Sequence, residues 1–491
     1  MIRSVKNLRH AAVLLALAAL AGCVSQAEVD TFSARDAGFH NIALVTEDAV
    51  SKDTVFIQDS EEATTVSSRV KSLVRGRTVD VETAVQVALL NNRGLQAAYT
   101  DVGISAAEAW QQTMLPNPRV SIGVFGIAHP ELGAFRAIEG MIANNILAML
   151  TQRQRVDIAD AQFQRAQLVA INETLRVAME TRRAWYEAVG AFERVIYLNQ
   201  AQTAANAASE LARKLGESGA LPKAGQAREH AFFAELTAQK AKARLAAKLA
   251  KEELARNMGL WGDDLDFFVP DYLPRLPARP PNKGRVEGEA LQRRVDLMAA
   301  KLELEAQARS FGLTDATRYV TDLELLAGFE KELEIEDGDK KHVTTGQIEI
   351  EFVLPIFDSG KARLRKAELT YMRAANLLAE KAVNVRSQAR SALLAVQANH
   401  DIARHYQNAV LPLRTVIQEE ALLTYNGMIT NTFELLADTR ARVNTVLMAT
   451  DARRDFWLAD TNLSAAIYGG GGQIEGGDAE AAVADAGPGG H

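Results

Sequence analysis

The most regular pattern in the chain is a seven-residue spacing of apolar positions. Between Lys361 and Tyr425, Leu364, Tyr371, Leu378, Val385, Ala392, Asn399, Tyr406 and Leu413 recur every seventh residue. Four places after the members from Tyr371 onward stand Ala375, Ala382, Ala389, Val396, Ala403, Val410 and Ile417. Small and apolar residues on one seam let helices pack closely, as in a coiled coil. An earlier run, Thr151 to Leu215, carries the same kind of stripe through Leu168, Ile171, Leu175, Ala178, Trp185, Val189, Phe192 and Ile196. Gly216, Gly219 and Pro222 break the earlier run, Asn426-Gly427 breaks the later one, and return helices are expected over 223–258 and up to Ile467. A helix of about 64 residues is about 95 Å long, too long for a globule. Each therefore projects as a rod or lines a tunnel.

Short alternating segments lie ahead of each long helix. In Gln347 to Leu354, Ile348, Ile350, Phe352 and Leu354 share one face, and Gln347, Glu349 and Glu351 the other. In Tyr319 to Phe329, Leu323, Leu325, Ala327 and Phe329 oppose Asp322 and Glu324. The first half offers Arg119 to Ile127, with Val120, Ile122 and Val124 on one face, and a weaker segment, Ala137 to Leu147. Length and alternation suit transmembrane β-strands, and equally a half-buried sheet on a soluble domain. The charged run Glu330 to Lys341 reads as an exterior loop. Lipid tolerates no open sheet edge, and about eight strands is the smallest closed barrel, so four membrane strands require an oligomer.

The elements occur in the same order twice. A helix capped by Asp80 or Thr78 runs to about Met114 and stops at Pro116-Asn117-Pro118. Its counterpart spans about 288–311, and Gly94-Leu95-Gln96-Ala97-Ala98 aligns with Asp296-Leu297-Met298-Ala299-Ala300. The expected organisation is a leader (1–22), an extended arm with little core (23–77), a first repeat (78–269), a proline-rich linker (270–287), a second repeat (288–468) and a Gly/Ala-rich disordered tail (469–491). The fold class is mainly α with a small β part.

Composition sharpens the destination. Arg3, Lys6 and Arg9 precede an apolar stretch, Ala11 to Ala21, too short to span a bilayer, and Leu20-Ala21-Gly22-Cys23 follows. That sequence resembles a bacterial lipobox, in which Cys23, the sole cysteine, becomes the lipid-modified N-terminus. Val24 after it, rather than Asp, favours the outer membrane by the sorting rule this resembles. Removing the leader takes the net charge from −7 to about −10, and without a basic patch this argues against nucleic acid.

The sequence resembles the TolC-like outer-membrane efflux protein family over nearly the whole mature chain. The resemblance rests on Thr83 to Asn92 with Leu95-Gln96-Ala97-Ala98, Leu115-Pro116-Asn117-Pro118, Leu354 to Arg363, and Tyr425-Asn426-Gly427 through Phe433-Glu434-Leu435-Leu436. It implies a homotrimer in which twelve strands close one outer-membrane barrel and long antiparallel helical hairpins form an α-barrel through the periplasm. It also implies two partners, a periplasmic adaptor and an inner-membrane transporter. The first half departs from the pattern, with Ala148 to Arg153 in place of the usual Leu-Pro-Leu/Ile-Phe turn. By the same resemblance Tyr425, Glu434 and, near it, Asp438 belong to the periplasmic gate, while Thr430 stands where a basic residue is expected. Asp322, Glu324, Glu349 and Glu351 would face the lumen and favour cations. A lipid-anchored coiled-coil adaptor or tether is the alternative reading. Enzymatic activity, cofactors and metal are not expected: no Gly-x-Ser-x-Gly, Walker or His-Glu-x-x-His pattern occurs, and His400 and His405 are poorly spaced for one helix face.

Overall fold

A computed structural model describes residues 24–127, 136–280, 284–336, 339–426 and 432–471. The leader, Cys23, Thr430 and residues 472–491 of the tail lie outside the described residues. The chain divides into two compact units, and each draws on both repeats: 1–39, 100–167 and 299–380 form one, and 40–99, 168–298 and 381–491 the other.

The segment expected as an extended arm carries three helices, α1 (Gln26–Ser33), α2 (Phe39–Val50) and α3 (Ser60–Val74). Weak periodicity hid them because each is short and set by its cap. Ser25 and Glu28 form a reciprocal capping box on α1, and Asp59 accepts from the Glu61 and Glu62 amides of α3. The Ser25 amide and hydroxyl, followed by Arg153, hold the Glu28 carboxyl below the usual carboxylate range. Phe32, Ile42, Val50, Val66, Val70 and Val74 of the segment are buried, Phe32 with its ring against Phe163 of the first long helix. Between α2 and α3 the chain is extended and held by side chains. The Gln86 amide pairs with both the N–H and the C=O of Asp53, and Gln96 bridges the Val55 carbonyl and the Ile57 amide.

The first helix of each repeat is split in two. Asp80 caps α4 (Val81–Asn91), accepting from the Thr83 amide at 2.7 Å, and Asn92 then starts α5 (Arg93–Thr113) by accepting from Leu95. In the second repeat α9 (Val286–Arg293) gives way to α10 (Val295–Ala316) at the buried Arg294, which pairs with Asp296 at 2.8 Å. Among the described residues four strands form one antiparallel sheet in the order β1 (Arg119–Phe125), β2 (Ala137–Asn145), β3 (Leu323–Glu336), β4 (Asp339–Phe352). The weaker second segment of the first half is therefore a strand. Asn145 ends it by capping a short helix, α6 (Ile146–Leu150), which stands where a Leu-Pro turn was expected.

The charged run 330–341 is a correction. Its described residues, 330–336 and 339–341, are strand rather than loop, with Glu330 opposite Thr345, Lys331 opposite Thr344 and Glu332 opposite Val343. Charge does not interrupt a ladder when the partners are β-branched residues suited to strands. A second correction falls at the other end. β3 begins at Leu323, four residues later than expected, which leaves Asp322 outside the strand.

The long hairpins match expectation closely. α7 (Gln152–Glu217) and α8 (Lys223–Asn257) form the first, and α11 (Lys361–His405), α12 (Leu411–Asn426) and α13 (Thr432–Tyr468) the second. A π-turn, Tyr406–Val410, joins α11 to α12. Pro412 accounts for it, because its ring cannot follow a regular α-turn and it donates no N–H. The predicted seam is buried between Val385 and Ala403, where Val385, Ala389 and Val396 meet Phe456, Ala459, Leu463 and Ile467 of α13. Beyond the π-turn the same seam is uncovered, with Leu413 and Ile417 exposed. α8 ends at Gly259, whose positive φ and closeness to the Asn91 carbonyl exclude a side chain.

Candidate functional site

The sheet register sorts side chains into two faces, since directly opposed residues share a face. One face carries Val120, Ile122 and Val124 of β1, Ile138 and Ile142 of β2, Leu323, Leu325, Ala327 and Phe329 of β3, and Ile348, Ile350 and Phe352 of β4. Ile122, Ile348 and Ile350 are 76%, 78% and 67% exposed, so nothing among the described residues covers this face. An uncovered apolar surface of this extent marks a contact with a membrane or a partner. No helix among the described residues is long and apolar enough to cross a membrane.

The opposite face carries Glu139, Glu324, Glu330, Glu332, Glu349 and Glu351. Three of the four expected acids are on it. Asp322 lies just ahead of β3 and accepts from the Asn145 side-chain amide at 3.0 Å. Glu324 and Glu351 are direct cross-strand partners, an unfavourable like-charge pair that Arg119 relieves by bonding Glu324. Glu139 and Glu330 also face each other, and Gln347 donates to Glu139 at 2.8 Å. Arg136 reaches Glu332 at 2.7 Å. Sequence reasoning missed Glu139, Glu330 and Glu332: Glu139 sits in the least regular strand, and the other two were assigned to a loop.

Gly140 is held between the faces by shape. Phe329 stands opposite it, and its ring edge lies 2.9 Å from where a Cβ would sit. This is an aromatic covering a strand glycine, and it pins the register where the two repeats join.

The second candidate region is the tip of the α12–α13 hairpin. Tyr425, half-buried, lies at the end of α12. Glu434, exposed, is in the first turn of α13, where a carboxylate opposes the positive end of the helix dipole, and half-buried Asp438 follows one turn later. Arg440 and Arg442 also make cross-helix polar contacts in this region. Arg442 of α13 bonds Gln418 of α12. Arg440 reaches α8, donating to the Arg228 carbonyl at 3.2 Å and the Glu229 carboxylate at 3.1 Å, with its guanidinium 4.3 Å over the Phe232 ring.

Glu229 is almost wholly buried, as is Glu193 of α7, which bonds Arg453 of α13 and accepts the Leu273 amide at 2.9 Å. A third pair, Arg194 with Asp451 at 2.8 Å, joins the same two helices. The return helix of one hairpin is thus tied to the other hairpin by ion pairs. The signal in the sequence is an acid on an apolar seam: Glu193 falls between Val189 and Ile196.

No protein-family model and no curated protein matches this sequence. Solved structures do. The chain is similar to a membrane protein from Pseudomonas aeruginosa (17% identity, TM-score 0.68, covering 81% of this chain and 94% of that one). It is similar also to the Campylobacter jejuni outer membrane channel CmeC (18%, 0.65, 81% and 87%) and the Vibrio cholerae outer membrane protein VceC (17%, 0.65, 79% and 96%). The chain shares the fold of these proteins. That shared fold accounts for the paired helical hairpins and the small sheet. It also runs through nearly the full length of each of these neighbours, so the first repeat's missing Leu-Pro turn has not altered the architecture.

Proposed function

We propose that this chain is the outer-membrane channel of a tripartite efflux system, a passive exit duct from periplasm to exterior. The observation that carries the reading is the four-stranded sheet, bare and apolar on one face, acidic on the other, with both edge strands unpaired among the described residues. In lipid those edges must be satisfied, and three copies supply twelve strands, enough to enclose an aqueous lumen. The apolar face then meets lipid and the acidic face lines the pore. Cys23 carries the lipid anchor, and a periplasmic adaptor and an inner-membrane transporter dock at the helical end. Conduction is diffusive, with rigid-body opening of the tip as the gate.

The test is reconstitution. Membrane extracts should give a trimer band that resists heat, and planar bilayers should show discrete, cation-preferring conductance. A monomer released on removing the lipid, without conductance, would support the tether instead. Within the channel reading, Glu349→Gln with Glu351→Gln should lower the cation-to-anion permeability ratio, most strongly at low salt where screening is weak. Neutralising Glu434 and Asp438 together should raise single-channel conductance by loosening the tip, and an unchanged value would remove them from the gate.

A further inference from the structure

At one end of the sheet β1 and β3 begin and β2 and β4 end, as Asn145 opposite Glu324 and Leu323 opposite Phe352 require. The chain flanking this end is apolar and uncovered: Leu115 before β1, Leu150 after β2, Tyr319 before β3, and Leu354, Ile356 and a fully exposed Phe357 after β4. From Leu323 to Phe329 the apolar run covers about 20 Å of strand. A membrane barrel presents an apolar band of about 25 Å. Strands tilted by about 40° cover about 15 Å of that band, and the flanking apolar collar extends the apolar surface to an edge at Phe357.

Immediately beyond that edge the charge becomes strongly basic. α11 opens with Lys361, Arg363, Arg365 and Lys366, and Arg373 follows two turns later. The acids nearby are engaged, Asp358 with the Gly360 amide at 2.8 Å and Glu368 with Arg365 at 2.7 Å. Cations at the N-terminal end of a helix oppose its dipole, so local helix stability does not explain them. Lys361 to Lys366 spans about 8 Å of helix, which matches the 5–8 Å depth of a headgroup layer. Arg318 joins the group at its top, stacked 4.9 Å over Tyr319, and it is fixed by the Ser359 carbonyl. An open, shallow groove with a mainly apolar lining runs down this face of α11, past Ala362, Arg365, Lys366, Leu369, Thr370 and Arg373.

We propose that this collar and groove bind an anionic glycerophospholipid of the leaflet that meets the helical end of the sheet. The phosphate sits between the groove cations and the acyl chains lie against Ile356 and Phe357. The assignment rests on the reading of the sheet as membrane-inserted, and charge complementarity selects the occupant. A zwitterionic lipid would gain little from a row of cations in which Glu368 compensates only Arg365, whereas each basic residue close to an anionic surface strengthens attachment severalfold.

The test uses full-length protein reconstituted in phosphatidylcholine vesicles containing one-fifth phosphatidylglycerol, re-extracted in mild detergent, with the retained lipid quantified by native mass spectrometry. Phosphatidylglycerol should be enriched severalfold over its bulk share, towards the fivefold ceiling that a one-fifth content allows, and the triple substitution Arg365→Gln, Lys366→Gln, Arg373→Gln should return it close to bulk proportion. Arg404→Gln, at the far end of α11, should leave it unchanged. Retention in bulk proportion, or equal enrichment in the triple variant, would overturn the proposal. So would loss of the trimer in the variant whatever the lipid, which would assign the groove to a second copy of the chain. Conductance of the same samples separates the two readings. Channels without lipid preference refute only the lipid site, and failure to insert refutes the channel and the lipid site together.

Discussion

Arg453→Ala should destabilise the helical bundle by about 3 kcal/mol, the largest effect expected of the ion-pair residues. Its partner Glu193 has no exposed side-chain surface, so truncating the arginine strands a charge that water cannot reach. The Leu273 amide continues to donate to Glu193, which keeps the loss from being larger. The check is the thermal midpoint of detergent-solubilised protein followed by circular dichroism, with Glu193→Gln/Arg453→Met as companion. That double variant removes both charges and keeps the volume, so it should recover most of the loss. A single variant that melts like the wild type would mean the pair carries no structural weight. Arg440→Ala at the Glu229 pair should behave the same way with a smaller shift, because Arg440 is itself about one-third exposed.

Gly328→Val should abolish the inserted, heat-resistant form. Gly328 lies on β3 opposite Met141 of β2, at the seam that joins the strands of the two repeats. A Cβ there would fall well inside contact distance of the Gly140 carbonyl and 2.8 Å from the Met141 side chain. The Gly140 carbonyl and the Met141 Cα are both backbone of β2 and cannot swing aside as a side chain could, so the β2–β3 ladder must open, and a sheet split at its centre cannot contribute four strands. Gly346 makes the control. It is in the neighbouring strand, but a Cβ added to it meets nothing closer than 3.9 Å, so Gly346→Ala should be tolerated. Both variants are read by gel mobility of unheated membrane samples. A heat-resistant oligomer in Gly328→Val would show that the seam is not needed for assembly.

Much of this architecture is legible in the sequence because long helices and alternating strands leave periodic signatures. The seam from Val385 to Ala403 lies where the heptads place it, and the two helices end at Glu217, one residue past Gly216, and at Asn426. What escapes is whatever rests on contacts distant in sequence or on short-range capping. The N-terminal helices are too short to show a period, and Gln86 and Gln96 act as substitute backbone for a segment more than thirty residues earlier. The acidic run from Glu330 reads as a loop because charge is a poor guide where a strand leaves the apolar layer.

The tip illustrates a different limit. Resemblance singles out Tyr425, Glu434 and Asp438, whereas the charged contact that joins α13 to α8 uses Arg440 and Glu229. Those partners are 211 residues apart, and no local pattern pairs them. An acid at a seam position was the one clue available, and it applies equally to Glu193.

The central claim is that one face of the sheet meets lipid while the other meets water. Single cysteines placed in turn at Gln347, Ile348, Glu349, Ile350, Glu351 and Phe352 of β4, in a Cys23→Ser background, can be labelled with an environment-sensitive fluorophore in reconstituted vesicles. Labels at Ile348, Ile350 and Phe352 should be quenched by lipid-borne quenchers and shielded from aqueous iodide, and those at Gln347, Glu349 and Glu351 should show the reverse. Uniform accessibility to iodide along the strand, without that two-residue alternation, would contradict a membrane-inserted sheet and the channel built on it.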